Sequence, residues 1–118
     1  MCIRDRSRDM VFVGDVVQAN ICAALTDREV AGKGYNIGSG TSITNNEILD
    51  KLREIFGDLD VRDAPWRPGD VMHTLADISS AKNDLGYDPE YSFDEGLEQT
   101  LSWWDDRFDD ESEDEDFE

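Results

Sequence analysis

The sequence predicts an α/β fold in which short strands alternate with helices, and three observations carry that expectation. Short apolar runs of strand type end at glycines, as in Met10-Val11-Phe12-Val13 before Gly14 and Tyr35-Asn36-Ile37 before Gly38. Longer stretches repeat apolar residues at spacings of three and four, the period of a helix with one buried face. Carboxylate and hydroxyl residues stand where those helices begin, in the places caps occupy. So few strands cannot make a parallel sheet of their own. The pattern is that of part of a larger α/β protein, or of a small lobe that docks on one.

Taken in order, residues 1–7 show no periodicity and join abruptly to the patterned chain from Arg8 onward, so they are expected to be a lead-in outside the fold, as an artificial start would be. The first strand is expected at residues 10–13, with Asp15 as the N-cap of a helix over residues 16–25 whose apolar face is Val17, Ile21, Ala24 and Leu25. Gly32 and Gly34 lead to a second strand at 35–37, which ends in the loop Gly38-Ser39-Gly40. Thr44-Asn45-Asn46-Glu47 is a capping box that opens a helix to Phe56, with Ile48, Leu49, Leu52, Ile55 and Phe56 as its buried stripe and Gly57 as its stop. Residues 59–62 read as a third strand. Asp77 is expected to cap a short helix over 78–85, closed by Gly86, and Pro89 forbids its continuation. Ser92-Phe93-Asp94-Glu95 is a second capping box, and Phe93, Leu97, Leu101, Trp104 and Phe108 after it form a stripe expected to be core.

At 118 residues the chain is one domain at most, which excludes a large multidomain enzyme. Its 29 Asp and Glu against 11 Lys and Arg give a formal charge of −18, which argues against nucleic acid or an anionic membrane as partner. Residues 105–118 hold ten acids and one arginine, so −9 lies there and −9 in the rest. The domain is therefore expected over residues 8–108, with 109–118 a disordered acidic tail. The acidic body suits solubility in a high-salt cytoplasm, a halophilic pattern. Cys2 and Cys22 form neither a disulfide framework nor a zinc site. His73 is the one histidine, so metal or Ser-His-Asp chemistry would have to rest on it alone. No membrane-length apolar run and no signal-peptide pattern is present, and a soluble cytoplasmic protein is the default.

The candidate site is the loop Pro65-Trp66-Arg67-Pro68-Gly69-Asp70. Two prolines fix φ and keep the residues before them out of the helical region, while Gly69 admits a turn, so the backbone is stiff where it carries Arg67 and Asp70. Arg67 has a planar fork suited to phosphate oxygens, and Asp70 can hold that fork or accept from a ligand hydroxyl. The alternative is an ordinary surface turn in which the two side chains pair only with each other. Gly38-Ser39-Gly40-Thr41-Ser42-Ile43 is nearly a dinucleotide fingerprint, with Asp60 twenty residues after Gly40. Ile43, however, stands where a Gly or Ala should allow close packing, and Thr44 supplies its own hydroxyl to the helix N-terminus that a pyrophosphate needs, so a tight strand-to-helix turn is the favoured reading.

From Arg8 to Trp104 the chain resembles the C-terminal part of the NAD-dependent epimerase/dehydratase family, the extended short-chain dehydrogenases that act on nucleotide sugars, and most of all its UDP-glucose 4-epimerase-like members. Six segments carry the resemblance in order and spacing: Arg8-Asp9-Met10-Val11-Phe12-Val13-Gly14-Asp15, Tyr35-Asn36-Ile37-Gly38-Ser39-Gly40, Arg67-Pro68-Gly69-Asp70, Ala76-Asp77-Ile78-Ser79-Ser80-Ala81-Lys82, Leu85-Gly86-Tyr87-Asp88-Pro89 and Glu95-Gly96-Leu97. The resemblance implies that Arg8, Arg67 and Asp70 contact the diphosphate and the ribose or uracil side of a nucleotide sugar. Thr74 stands where the family often has a tyrosine, so a hydroxyl remains there without a ring to stack. Asp15 is carried over as a structural cap.

The resemblance also implies what this chain lacks. The family's glycine-rich NAD loop, its catalytic Tyr-x-x-x-Lys pair and the associated Ser or Thr belong to the N-terminal Rossmann half, and Tyr35, Tyr87 and Tyr91 have no lysine four residues on. No catalytic, cofactor or metal residue is therefore expected here. The implied whole is an NAD-dependent homodimeric isomerase or a related dehydratase or decarboxylase; the chain alone is a substrate-binding lobe without turnover, awaiting its Rossmann half. The rival expectation, from another class, is a stand-alone acidic interaction module whose tail recruits a basic partner.

Overall fold

The computed structural model describes residues 5–113, with side chains as far as residue 108. Two short strands, β1 (Ser7–Arg8) and β2 (Ile43–Thr44), and four helices, α1 (Val13–Leu25), α2 (Asn45–Phe56), α3 (Ser79–Leu85) and α4 (Phe93–Glu113), make up the regular structure, which is the α/β mixture expected. The strands pair antiparallel, Ser7 opposite Thr44 and Arg8 opposite Ile43. Ser7 also bridges to His73, its amide donating to the Met72 carbonyl at 2.9 Å and its carbonyl accepting from the Thr74 amide at 3.1 Å. One residue thus ties three distant segments together.

The lead-in expected over residues 1–7 does not stop where it was placed. Arg6 and Ser7 are buried, and the Arg6 carbonyl accepts from the Asn45 amide at 2.9 Å. Residues 10–13, 35–37 and 59–62 are not strands. A strand is defined by a partner that satisfies its backbone groups, and among the described residues no partner lies beside these apolar runs.

Helix α1 starts at Val13, and its Asp15 is not a cap. That carboxylate is fully buried and instead accepts from the backbone amides of Glu90 at 2.8 Å and Tyr91 at 3.3 Å, pinning the segment before α4 across α1. Phe12 packs on Tyr91 in a tilted pair with ring centroids 4.7 Å apart, and a Cβ at Gly14 would lie 2.9 Å from the Phe12 ring, one at Gly96 3.0 Å from the Phe12 Cβ. The core is small: Ala19, Ile78, Ala81, Leu85 and Tyr87, with Cys22, Val30, Tyr35, Ile37 and Ala76 packed against it.

The capping box of α2 forms as expected, Glu47 N–H donating to Thr44 Oγ1 at 3.1 Å and Thr44 N–H to Glu47 Oε2 at 2.8 Å, and Gly57 ends the helix at φ +76°. Its apolar stripe is not buried: Ile55 and Phe56 are exposed. Helix α3 begins one residue later than expected because Ile78 turns into the core, while Asp77 accepts from the Ser79 amide at 3.0 Å and hydroxyl at 2.6 Å. Helix α4 opens on the Ser92 box, whose hydroxyl accepts from the Glu95 amide at 3.2 Å. The stripe expected as core fails at its far end, where Trp104 and Phe108 stack on each other at 4.5 Å yet remain exposed, because no other element of the described residues covers them. The helix runs past Phe108 to Glu113, so the expected disordered tail is helical over 109–113; its last residues, 114–118, and residues 1–4 of the lead-in lie outside the described residues.

Candidate functional site

The chemistry of the Pro65 to Asp70 loop converges on Asp70, with partners other than the one expected. Gly69, at φ +83°, closes a turn in which the Asp70 amide donates to the Arg67 carbonyl at 3.2 Å. The Asp70 carboxylate pairs with two other arginines and not with Arg67. One oxygen is held by Arg6 Nη1 and the other by Arg8 Nη2 at 3.3 Å. Alternate residues of an extended segment share a face, so Arg6 and Arg8 on either side of Ser7 reach the same carboxylate. The pairing of Arg67 with Asp70, which the surface-turn expectation required and which the clamp expectation held as one of two roles for Asp70, is replaced by pairs with Arg6 and Arg8.

Arg8 is a strut within the protein. Its Nη1 donates to the Ser7 carbonyl at 2.8 Å and the Met72 carbonyl at 3.3 Å, and its Nη2 to the Val71 carbonyl at 2.7 Å as well as to Asp70. Those bonds lock the guanidinium against residues 70–72. Arg67, by contrast, is exposed and makes no ion pair among the described residues. Two arginines converge on one aspartate here, in a protein whose net charge is strongly negative.

Arg6 is the participant that sequence reasoning missed, because nothing in its spacing marks it apart from its position two residues before Arg8. Its guanidinium lies 4.0 Å over the Trp66 ring. Its Nε and Nη2 are buried without a hydrogen-bond partner among the described residues, which is a costly way to bury a cation. Thr74 is brought elsewhere. Its amide bonds Ser7, and it lies with Ser42, Glu47, His73 and Leu75 along an open cleft of about 570 Å³. His73 Nδ1 is 2.7 Å from Ser7 Oγ, and among the described residues no carboxylate completes a triad with them. No group of three His, Cys, Asp or Glu among the described residues is arranged to hold a metal ion, and no described helix is long and apolar enough to cross a membrane.

The glycine loop that resembles a dinucleotide fingerprint is filled by the protein itself. Asp9 accepts from the Ser39 amide at 2.8 Å, the Ser39 hydroxyl at 2.6 Å and the Gly40 amide at 3.1 Å. A carboxylate thus sits on the backbone donors that a pyrophosphate would need, and a Cβ at Gly38 would lie 2.5 Å from it. These residues do not fit NAD.

The order of these segments, and not the chemistry of any one, decides the family. The family model for GDP-mannose 4,6-dehydratase matches residues 4–100. The chain belongs to that family. It is a member of the NAD-dependent epimerases and dehydratases, the extended short-chain dehydrogenases, as the six segments indicated. A dTDP-glucose 4,6-dehydratase of Streptomyces niveus is 35% identical over 100 residues, which cover 82% of this chain and 29% of the relative. The UDP-glucose 4-epimerase of Thermotoga maritima, solved with UDP-glucose, superposes with a TM-score of 0.78 at 34% identity over 92% of this chain and 34% of the other. The UDP-glucuronic acid 4-epimerase of Bacillus cereus, solved with UDP-glucuronic acid and NAD, gives 0.73 at 29% identity over 80% and 31%. This member of the family therefore spans about a third of the length of the relatives it matches, and its solved neighbours are Rossmann-type epimerases.

Proposed function

We propose that this chain is the substrate-binding C-terminal lobe of an NAD-dependent nucleotide-sugar epimerase or dehydratase, cytoplasmic and homodimeric when complete, and that it holds the diphosphate of a UDP-sugar-like substrate. The observation that carries the reading is the division of labour around Asp70. That carboxylate fixes Arg8 in place, which leaves the exposed Arg67 on the same stiff turn without a protein partner among the described residues. A bidentate fork on a rigid turn is what phosphate oxygens require, and Arg8 adds positive charge beside it. Asp70 accepts from the arginines and, through its remaining lone pairs, from ligand hydroxyls. The role is positional: a held diphosphate places the sugar ring where chemistry supplied by another part of the enzyme can reach it. When bound there, NAD supplies the hydride acceptor.

The test joins this chain to the first two-thirds of the Thermotoga maritima epimerase in place of that enzyme's matching third, and measures UDP-glucose kinetics. Arg67→Ala is expected to raise KM by roughly 10- to 150-fold, the equivalent of about 1.5–3 kcal/mol, with kcat changed far less. Arg67→Lys is expected to recover only part of the loss, since a point charge does not replace a fork. Equal and small effects of the two substitutions would return Arg67 to an ordinary surface residue.

A further inference from the structure

We propose that Trp66 is a stacking face for the nucleobase of the nucleotide sugar, at one end of a row of side chains whose other end lies beside the diphosphate. The proposal rests on the diphosphate reading above and deepens it by naming the residue that takes the base. The row is continuous. The Arg6 guanidinium lies 4.0 Å from the centre of the Trp66 ring, Arg6 and Arg8 hold the two oxygens of Asp70, and Arg8 is locked in turn on the Val71 carbonyl at 2.7 Å. Ring, cation, carboxylate and second cation are thus fixed to one another in that order. Two cations against one carboxylate leave the row positive, within a chain of net charge −18. Phosphate groups are what such a row attracts, and a ring stands at its end.

The second observation is how firmly this ring is held while half of it stays open. Pro65 precedes it and Pro68 follows, which stiffens the backbone on both sides. One face is taken by Arg6, whose side chain is only 9% exposed, yet Trp66 itself is 50% exposed, so the exposure belongs to the rest of the ring. Among the described residues no other aromatic ring packs on it. An exposed ring alone would mean little. What marks this one is what Arg6 gives up to sit against it: Nε and Nη2 are buried without a hydrogen-bond partner among the described residues. A local cost that the fold does not recover is a mark of a functional position. A flat ring backed by a cation takes a planar partner, and every nucleobase has a π-face to offer. The sugar ring is the poorer occupant. It has to reach chemistry supplied by another part of the enzyme, so the end of the ligand left for this chain is the base.

Two probes separate base from phosphate: UDP, which carries both, and inorganic pyrophosphate, which has no base. Trp103→Phe with Trp104→Phe leaves Trp66 as the one tryptophan, so its emission reports on this loop. UDP is expected to quench that emission, and pyrophosphate is expected to bind without the quench. By calorimetry on the otherwise unaltered chain, Trp66→Ala is expected to weaken UDP about 5- to 150-fold and pyrophosphate by less than about twofold, while Trp66→Phe keeps most of the affinity for UDP. In the chain joined to the Thermotoga maritima two-thirds, Trp66→Ala is expected to raise KM for UDP-glucose by a similar factor with kcat changed far less, which decides the matter if the lobe alone binds neither probe. Equal weakening of both probes, weakening of neither, or an unchanged KM in the joined chain would overturn the proposal. A lower melting temperature of the joined chain at unchanged KM would overturn it in favour of a contact between Trp66 and the rest of the enzyme. Arg67→Ala is expected to weaken UDP and pyrophosphate alike. If it weakens neither while Trp66→Ala weakens UDP, the diphosphate reading fails and the base site stands, so the two failures are told apart.

Discussion

Tyr87 is the largest fully buried side chain, and its hydroxyl donates to the Gly38 carbonyl at 2.5 Å, fixing the glycine loop to the core. Burial, and after it the nearby carboxylates of Asp15, Asp9 and Asp88, push its pKa up to about 12 from an ordinary 10.0. A raised folded pKa favours the protonated form, so the stability it represents is complete below the unfolded value and is lost as pH rises through the folded one. Chemical denaturation at a series of pH values is therefore expected to show stability falling between pH 10 and about 12 by an amount on the order of 1–3 kcal/mol. Tyr87→Phe should be less stable at pH 8 and should lose this part of the fall; a variant with the same alkaline profile as the parent would remove Tyr87 as its cause. At this scale the site was half legible. Stiffness and charge type singled out Arg67 and Asp70 from the prolines and Gly69 alone, but the partners of Asp70 lie 62 and 64 residues away and were set by the pairing of β1 with residues 72–74. No local spacing contains that information.

Among elements, the ones read correctly are those whose signals are local. Thr44 and Glu47 cap α2 within four residues, Gly57 and Gly86 take the positive φ that ends α2 and α3, and Ser92 caps α4. The strands expected at 10–13, 35–37 and 59–62 depended on partners that no local pattern supplies, and the apolar ends of α2 and α4 depended on neighbours to cover them. Asp15 shows the same division: its type and place fit a cap, but α1 begins before it and the long-range amides of residues 90 and 91 claim its oxygens. The local signals carry measurable energy. Thr44→Ala removes the acceptor for the Glu47 amide and the hydroxyl donor to the Glu47 carboxylate, which the Thr44 amide and, after it, that hydroxyl hold below the usual carboxylate range. The expected cost is about 1 kcal/mol, read as a lower urea midpoint at unchanged slope, with Thr44→Ser close to the parent. A loss as large in Thr44→Ser as in Thr44→Ala would assign the effect to packing of the methyl group instead of the cap.

For the molecule as a whole, a small core is set against a large like charge. Among the described residues five buried apolar side chains anchor the fold, while −9 is distributed over residues 1–104 and another −9 over 105–118. Self-repulsion opposes the compact state, and the ion pairs offset little of it, since pairs such as Arg62 with Asp60 and Arg53 with Asp50 are solvent-exposed and local. Raising KCl from about 10 mM to about 1 M shortens the Debye length from roughly 30 Å to roughly 3 Å, which screens the repulsion. Thermal melts should therefore rise with KCl both for the full chain and for a chain ending at Phe108. The full chain is expected to gain by no more than a slightly larger margin, because the eight acids beyond Phe108 are clustered in ten consecutive residues and repel mainly one another. A melting temperature that is flat with KCl would show that charge repulsion does not limit this fold. Loss of the transition on truncation would show that the helical residues 109–113 are part of what holds α4 in place.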